Sequence, residues 1–396
     1  MKNRNLVSLP SSNPKIWLDG RNISRHNGTG IYYYALNHQK ILTENGFNVK
    51  WLLENTQDTP LRSGIYRFVR ALASLAPHIH EESFQSPWGT AHLASDLYRV
   101  AHVHFRYHKK IFILKSSIAP DIMHWTYPLP VLIEGCKNIV TIHDIIPLTH
   151  PHLTNINAHN FRSLLQNLID HDVHFITVSE TVRQQIINTF TIEEDRITTL
   201  YQPVDFNRET LQEIKKAPQI APPNSFIFYG RMEHRKNIER LLEAHARTKT
   251  KTPLVLIGPK GDDQPNCSSP SPDSRVIHLP WSQRSSLLRT LAEAKALLFP
   301  SLAEGFGVPI IEAMALGIPV LTSQGGATEE IAGGAALLCN PLSIDSIAEK
   351  ITQLDKASPS EIYEIRTQGY QVSNSFNSPS YQKRYIKFIE EITTSN

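Results

Sequence analysis

Cysteine is scarce in this chain: its 396 residues hold only Cys136, Cys267 and Cys339. The three are far apart, odd in number and free of any C-x-x-C spacing. A disulfide framework and a cysteine zinc site are therefore not expected, and a reducing, cytoplasmic setting is. Long apolar runs are missing too. No stretch approaches the roughly 18–20 apolar residues of a spanning helix. The opening MKNRNLVSLPSSNP is polar and lacks the apolar centre of a secretory leader. Contact with a membrane is thus expected only at its surface, on the inner face. Charge of one sign is also lacking. Charged residues make up 19% of the chain and the formal net charge is +3, which speaks against a nucleic-acid partner.

What is present is enough apolar material, 40%, for ordinary cores. The length fits two domains at roughly 100–200 residues each. Short β-branched runs predict strands at Lys15–Leu18, Phe47–Leu53, Asp121–Trp125, Asn138–Ile142 and Val173–Val178. A second set is predicted at Ser225–Tyr229, Pro253–Ile257, Arg275–His278, Ala296–Phe299 and Pro319–Leu321. Helical patterning between them implies an α/β fold with two doubly wound, Rossmann-like parallel sheets. A proline-rich stretch, Tyr201–Pro223, marks the boundary, and Lys260–Asp273 reads as a surface excursion. In such sheets ligands bind beyond the carboxyl ends of the strands, so functional residues should follow them.

The most informative segment is FPSLAEGFGVPIIEAMALGIPVLTS, Phe299 to Ser323. A strand ends, a loop with Gly305 and Gly307 follows, Pro309 suits the first helical position, and Gly317 stops the helix predicted over Ile310–Leu316. The amides of Phe306, Gly307 and Val308 would sit at a helix N-terminus, where anions are favoured. Glu304 at the strand end and Glu312 in the first helical turn would face one cleft, and carboxylates suit sugar hydroxyls. Taken singly, each glutamate is more simply a solvated or helix-start residue; the combination is what points to a site.

This run resembles family 4 glycosyltransferases, which retain anomeric configuration and have the GT-B fold: two Rossmann-like domains facing a central cleft. Their pair of glutamates separated by seven residues is matched by Glu304 and Glu312. The resemblance implies that Glu304 contacts the donor sugar, that Glu312 contacts the nucleotide ribose, and that the backbone at Gly305, Phe306, Gly307 and Val308 approaches the diphosphate or sugar. It places Arg231 and Lys236, in Phe228-Tyr229-Gly230-Arg231 and the following Lys-Asn, on the diphosphate, with Arg235 as an adjacent competitor. His143, in Thr141-Ile142-His143-Asp144, matches a histidine near the reaction centre, although a lone histidine among 18 is more often structural. Gly28, Thr29 and Gly30 match a glycine-rich first loop that binds substrate, with Tyr32 where the family carries arginine. As a dinucleotide fingerprint the loop fails, because Tyr33 stands at the last glycine position. Asp170-His171-Asp172 matches a metal-binding D-x-D only formally; it falls at a helix end, and the family needs no metal. Ala327-Thr328-Glu329-Glu330 replaces a commoner Leu-Pro-Glu.

The resemblance implies an acceptor-side domain over 1–205, a donor domain over 206–370 and a closing helix within 371–396 that crosses back. It implies transfer of a hexose from a nucleotide-diphosphate sugar to a glycan or lipid-diphosphate-linked oligosaccharide, without cofactor or metal. His124–Pro128 and the His143 run are similar to bacterial mannosyltransferases of polysaccharide assembly, which favours GDP-mannose. A same-fold epimerase or phosphorylase, or a non-catalytic sugar-nucleotide binder, stays open. Finally, Arg62–Lys115 carries eight basic residues (Arg62, Arg67, Arg70, Arg99, Arg106, Lys109, Lys110, Lys115) against three acids (Glu81, Glu82, Asp96). Apolar residues are interleaved: Tyr66, Phe68, Leu97, Tyr98, Val100, Val103, Phe105, Phe112 and Ile113. That pattern suits either an anionic membrane surface or an ordinary solvated helix.

Overall fold

The structure is a computed structural model that describes residues 14–23, 30–55, 68–69, 71–73, 75, 77, 79–204, 206–261, 263, 265–271 and 274–394. Its first half holds β1 (Lys15–Asp19), β2 (Asn48–Asn55), β3 (Phe84–Ser86), β4 (Gly89–Ser95), β5 (Phe112–Leu114), β6 (Ile122–Trp125), β7 (Val131–Ile133), β8 (Lys137–Ile142), β9 (Val173–Thr177) and β10 (Ile197–Thr199). Eight of these form one sheet in the order β10-β9-β8-β6-β1-β2-β4-β3, and β5 pairs with β7 apart from it. Among these strands, all within the described residues, the β3–β4 pair alone is antiparallel. The second half holds β11 (Phe226–Tyr229), β12 (Leu254–Ile257), β13 (Val276–Leu279), β14 (Ala296–Phe299), β15 (Val320–Ser323) and β16 (Leu337–Cys339), in the order β13-β12-β11-β14-β15-β16, all parallel.

The reason for two parallel sheets is visible in the strands. Phe226–Tyr229, Leu254–Ile257 and Ala296–Phe299 are apolar throughout and buried at every position, as strands covered by helices on both faces must be. All ten strands read from the sequence are present. Those it missed are mostly three residues long, too short to show a period, or, like Gly89–Ser95 (GTAHLAS), built of small residues of low strand propensity. The last helix, Ser378–Thr394, buries Tyr381, Tyr385, Phe388 and Ile389 in one core with Ile16, Trp51 and Ile122 of the first sheet.

The helix after β14 spans Val308–Ala315 and not Ile310–Leu316. Gly307, at φ 112, caps it, and this left-handed backbone is open to glycine at little cost. Pro309 is consequently the second helical residue, and Glu312 lies one turn in rather than in the first turn.

Candidate functional site

The carboxyl ends of β11 and β14 build the charged floor of the site. After β11 the chain makes a single tight turn, His234–Lys236, closed by Asn237 in left-handed geometry. Asn237 fixes the turn by donating to the carbonyls of Pro300 at 2.9 Å and Pro341 at 2.7 Å. Lys236 is thereby aimed under β14, with Nζ 4.7 Å from the centre of the Phe299 ring. Its ammonium donates to Glu304 Oε1, and Arg235 donates to Glu304 Oε2 at 2.9 Å. Glu304 and Lys236 are each 9% exposed. Burial alone would raise the Glu304 carboxyl, but Lys236 and Arg235 outweigh it and hold it below the ordinary value. Burial pushes the Lys236 ammonium down, against the pull of Glu304.

Arg231 stands differently. It is 42% exposed and paired with Glu233 at 3.3 Å, while the other oxygen of Glu233 accepts from Arg235 at 2.7 Å. The structure therefore gives the buried place on Glu304 to Arg235, and leaves Arg231 at an open position beside it.

Glu312 is the second buried carboxylate, 1% exposed. Its Oε2 accepts from the Tyr229 hydroxyl at the end of β11, and its Oε1 from Arg284. Burial, then the neighbouring carboxylate, push the Tyr229 hydroxyl well up. The Arg284 guanidinium also lies 4.9 Å over the ring of Tyr33 from the first half. The residue that breaks the dinucleotide fingerprint is thus one that meets the second half across the cleft. Arg284 carried no signal in the polar run Ser282–Ser286; Tyr229 was within a motif but not singled out.

From the first half, His143 follows β8. Its Nε2 donates to the Thr126 carbonyl at 2.9 Å, and its ring meets Tyr34 edge-on at 4.9 Å. Burial holds the imidazole down at about 4, the Thr126 bond opposing. The two halves touch here. A Cβ at Gly305 would lie 1.7 Å from the His143 carbonyl, so only glycine permits this approach. Ser179 donates to the Gly305 carbonyl at 2.7 Å. Glu330 accepts from the amides of Glu180 and Thr181, both at 2.7 Å, which caps the Glu180–Thr189 helix of the opposite half.

A cavity of about 420 Å³ opens between the halves, and Gly30, Tyr33, Tyr34, Lys236, Val308 and Glu312 are among its lining. Of the residues read from the sequence, Gly30, Lys236, Val308 and Glu312 line it; Glu304 touches Lys236; Gly305 touches His143; and Phe306 is buried edge-on against Phe376. Gly28 and Thr29 lie outside the described residues. Asp170 caps the Ala158–Ile169 helix and accepts from Gln166 at 2.8 Å, a structural place.

The basic segment needs a correction. Leu97, Tyr98, Val100, Phe105 and Phe112 are buried in the core, because the Leu97–His108 helix turns its apolar face inward. Of the apolar residues read there, Phe68 and Ile113 are exposed, and Val69, Leu72, Leu75, Phe84 and Tyr107 are exposed with them. Arg106, Lys109 and Lys110 are exposed beside them, whereas Arg62, Tyr66, Arg67 and Arg70 lie outside the described residues. No helix among the described residues is long and apolar enough to cross a membrane.

A family model described as glycosyl transferases group 1 matches residues 211–366. The chain carries a glycosyl transferases group 1 domain. The O-antigen chain mannosyltransferase B of Escherichia coli is 32% identical over 233 residues, covering 55% of this chain and 61% of that protein. The O-antigen chain mannosyltransferase RfbU of Salmonella typhimurium is 29% identical over 225 residues, 55% of this chain and 62% of its own length. The chain thus spans about three fifths of these relatives. Among solved structures, sucrose-phosphate synthase from Thermosynechococcus elongatus superposes with a TM-score of 0.66 over 97% of this chain and 100% of that one, at 16% identity. WaaG, a glycosyltransferase involved in lipopolysaccharide biosynthesis, gives 0.63 over 96% and 100%, at 14% identity. Around its group 1 domain the chain has the GT-B fold.

Proposed function

We propose that this chain is a retaining glycosyltransferase that moves a hexose, mannose from GDP-mannose, onto a glycan or lipid-diphosphate-linked oligosaccharide in polysaccharide assembly. The observation that carries the reading is the pair of buried carboxylates, Glu304 held by Lys236 and Arg235, Glu312 held by Arg284 and Tyr229, at strand ends on one interdomain cleft. Mannose is favoured by the likeness to the two O-antigen chain mannosyltransferases.

In this reading Glu312 accepts hydroxyls of the nucleotide ribose, and Lys236 and Arg231 hold the diphosphate. As the bond from the sugar's anomeric carbon to the diphosphate oxygen breaks, charge grows on that oxygen, and the fixed cations stabilise it. Glu304, with both oxygens engaged by cations, is poorly suited to attack the anomeric carbon. The acceptor hydroxyl instead enters from the face the diphosphate leaves, its proton passes to the departing oxygen, and configuration is retained. Closure of the cleft excludes water. No metal is required where cations occupy the diphosphate site. The exposed apolar and basic residues around Tyr107 and Lys110 would rest on the inner face of an anionic membrane, beside the acceptor.

Purified protein offered GDP-mannose, UDP-glucose and UDP-galactose with lipid-diphosphate acceptors tests this, with the product anomer read by NMR. Transfer from GDP-mannose with retention, in the presence of EDTA, is expected. Absence of transfer from every donor overturns the activity; inversion, or loss in EDTA with rescue by manganese, overturns the mechanism.

A further inference from the structure

Three neighbouring strands of the first sheet, β1, β6 and β8, each end on a residue that bonds to the next. Asp19 is the last residue of β1, Thr126 follows β6 and His143 follows β8. Asp19 is fully buried. Its Oδ2 grips Thr126 at two points, accepting from the backbone amide at 2.5 Å and from the hydroxyl at 2.7 Å. The Thr126 carbonyl then accepts from His143 Nε2 at 2.9 Å. All three lie at the carboxyl end of the sheet, where ligands bind, and none of these bonds is needed to pair the strands.

A carbonyl has no hydrogen to give, so His143 Nε2 must carry one. Burial keeps the ring neutral at pH 7, and a neutral imidazole with its hydrogen on Nε2 has a bare lone pair on Nδ1. The tautomer of His143 is thus set by where the Thr126 carbonyl points, and Asp19 sets that by holding the same residue from the other side.

We infer that Asp19 is a positioning residue: through Thr126 it fixes His143 with its hydrogen on Nε2, leaving Nδ1 to accept from a hydroxyl of the sugar being transferred. The inference rests on the transferase reading above. Asp19 is poorly explained as a part of the scaffold. Burial raises its carboxyl to about 6, against the opposing bonds from Thr126, so the ionised form is held at a cost to the fold rather than as a support of it. Tyr98, Tyr34 and Arg21 surround it, and Arg21 bonds to His102 at 2.5 Å.

Asp19→Ala removes the acceptor that holds Thr126, whereas Asp19→Asn keeps a carbonyl oxygen for the same two bonds and removes only the charge. Expected in Asp19→Ala is a fall in kcat of tenfold or more with nucleoside diphosphate affinity unchanged, and in Asp19→Asn a kcat nearer that of wild type. Expected as well in Asp19→Ala is a change in the ring nitrogen shifts of His143, assigned by comparison with His143→Gln, from the Nε2–H pattern in wild type to a mixture. Thr126→Ser, which keeps both bonds to Asp19, should behave as wild type. Wild-type kcat and ring shifts in Asp19→Ala would overturn the inference. So would loss of folding, which would assign the carboxylate to the scaffold, or an equal loss of nucleotide affinity. If wild type transfers no sugar, the function fails, while the ring shifts still report on Asp19.

Discussion

Lys236 and Glu304, 68 residues apart, form a buried ion pair beneath β14, and Arg235 completes it from the other side at 2.9 Å. The pair has two consequences that can be separated by experiment. Glu304 pairs with two cations, and during the proposed reaction it contacts the sugar.

Glu304→Ala should therefore act twice. Removing one partner of a buried pair destabilises by about 3–5 kcal/mol, here because Lys236 and Arg235 are left facing each other. Transfer should fall roughly 10²-fold or more, the scale for losing a preorganised polar contact. A nucleoside diphosphate can replace the missing negative charge, so it should raise the melting temperature of the variant more than that of wild type. Equal shifts in both would show that the cations do not face the diphosphate.

Arg231 and Arg235 should part company in the same assays. Arg231 is 42% exposed, and the mostly buried Glu233 keeps its bond to Arg235 when Arg231 is lost, so Arg231→Ala should leave unfolding nearly unchanged. A lost hydrogen bond to a charged group, about 1.5–3 kcal/mol, should still weaken nucleoside diphosphate binding by roughly 10–100-fold. Arg235→Ala should lower stability as well. Unchanged affinity in Arg231→Ala would remove that residue from the diphosphate site.

Glu312 and Arg284 should behave as one unit. Loss of Arg284 leaves the buried Glu312 carboxylate without its cation, at about 2–5 kcal/mol, and loss of Glu312 removes the carboxylate itself, so both alanine variants should weaken binding of nucleoside and nucleoside diphosphate alike. Arg284→Ala and Glu312→Ala combined should weaken binding by less than the two effects added. Full additivity in isothermal titration would show that Arg284 does not orient Glu312.

The exposed basic surface offers a test of membrane contact. Each cation near an anionic surface contributes about 1 kcal/mol, so the triple replacement of Arg106, Lys109 and Lys110 by Ser should abolish sedimentation with phosphatidylserine-containing vesicles at low salt. Tyr107→Ser alone should weaken it without altering turnover on a soluble acceptor. If wild type fails to sediment at low salt, the protein does not dock on the membrane by this face.

Acid should destabilise the fold from neutral pH downwards. Burial lowers His38 to about 3 and His143 to about 4, against an ordinary 6.5. Below 6.5 the unfolded chain therefore binds protons that the folded one refuses, and stability is lost as pH falls. Asp19, raised from 3.8 to about 6, has the opposite sign: its folded form takes the proton first, so stability it contributes is present at low pH and lost as pH rises through that window. Among the described residues His92, His104, His124, His150, His174 and His245 are lowered by burial as well, and Glu54 and Asp144 are raised with Asp19; the histidines outnumber the carboxylates and give a net loss on acidification. Urea midpoints at pH 7, 6 and 5 should fall in that order; a flat or rising series would contradict the buried, neutral histidines.

Much of this protein was legible in its residues. Apolar strands such as Phe226–Tyr229 declare themselves because a parallel strand covered on both faces must be apolar throughout. The Gly305–Glu312 loop declares itself because left-handed backbone and close approach demand glycine. Local chemistry of this kind is written where it acts. Tertiary structure alone decided which cation reached which carboxylate. Arg235 holds Glu304 although Arg231 matches the motif, Arg284 reaches Glu312 and Tyr33 from an unremarkable polar run, and Asp19 meets Thr126 across 107 residues. These partners are set by strand order, β1 beside β6 beside β8 and β11 beside β14, and that order arises from packing of the whole chain, which no window of sequence contains.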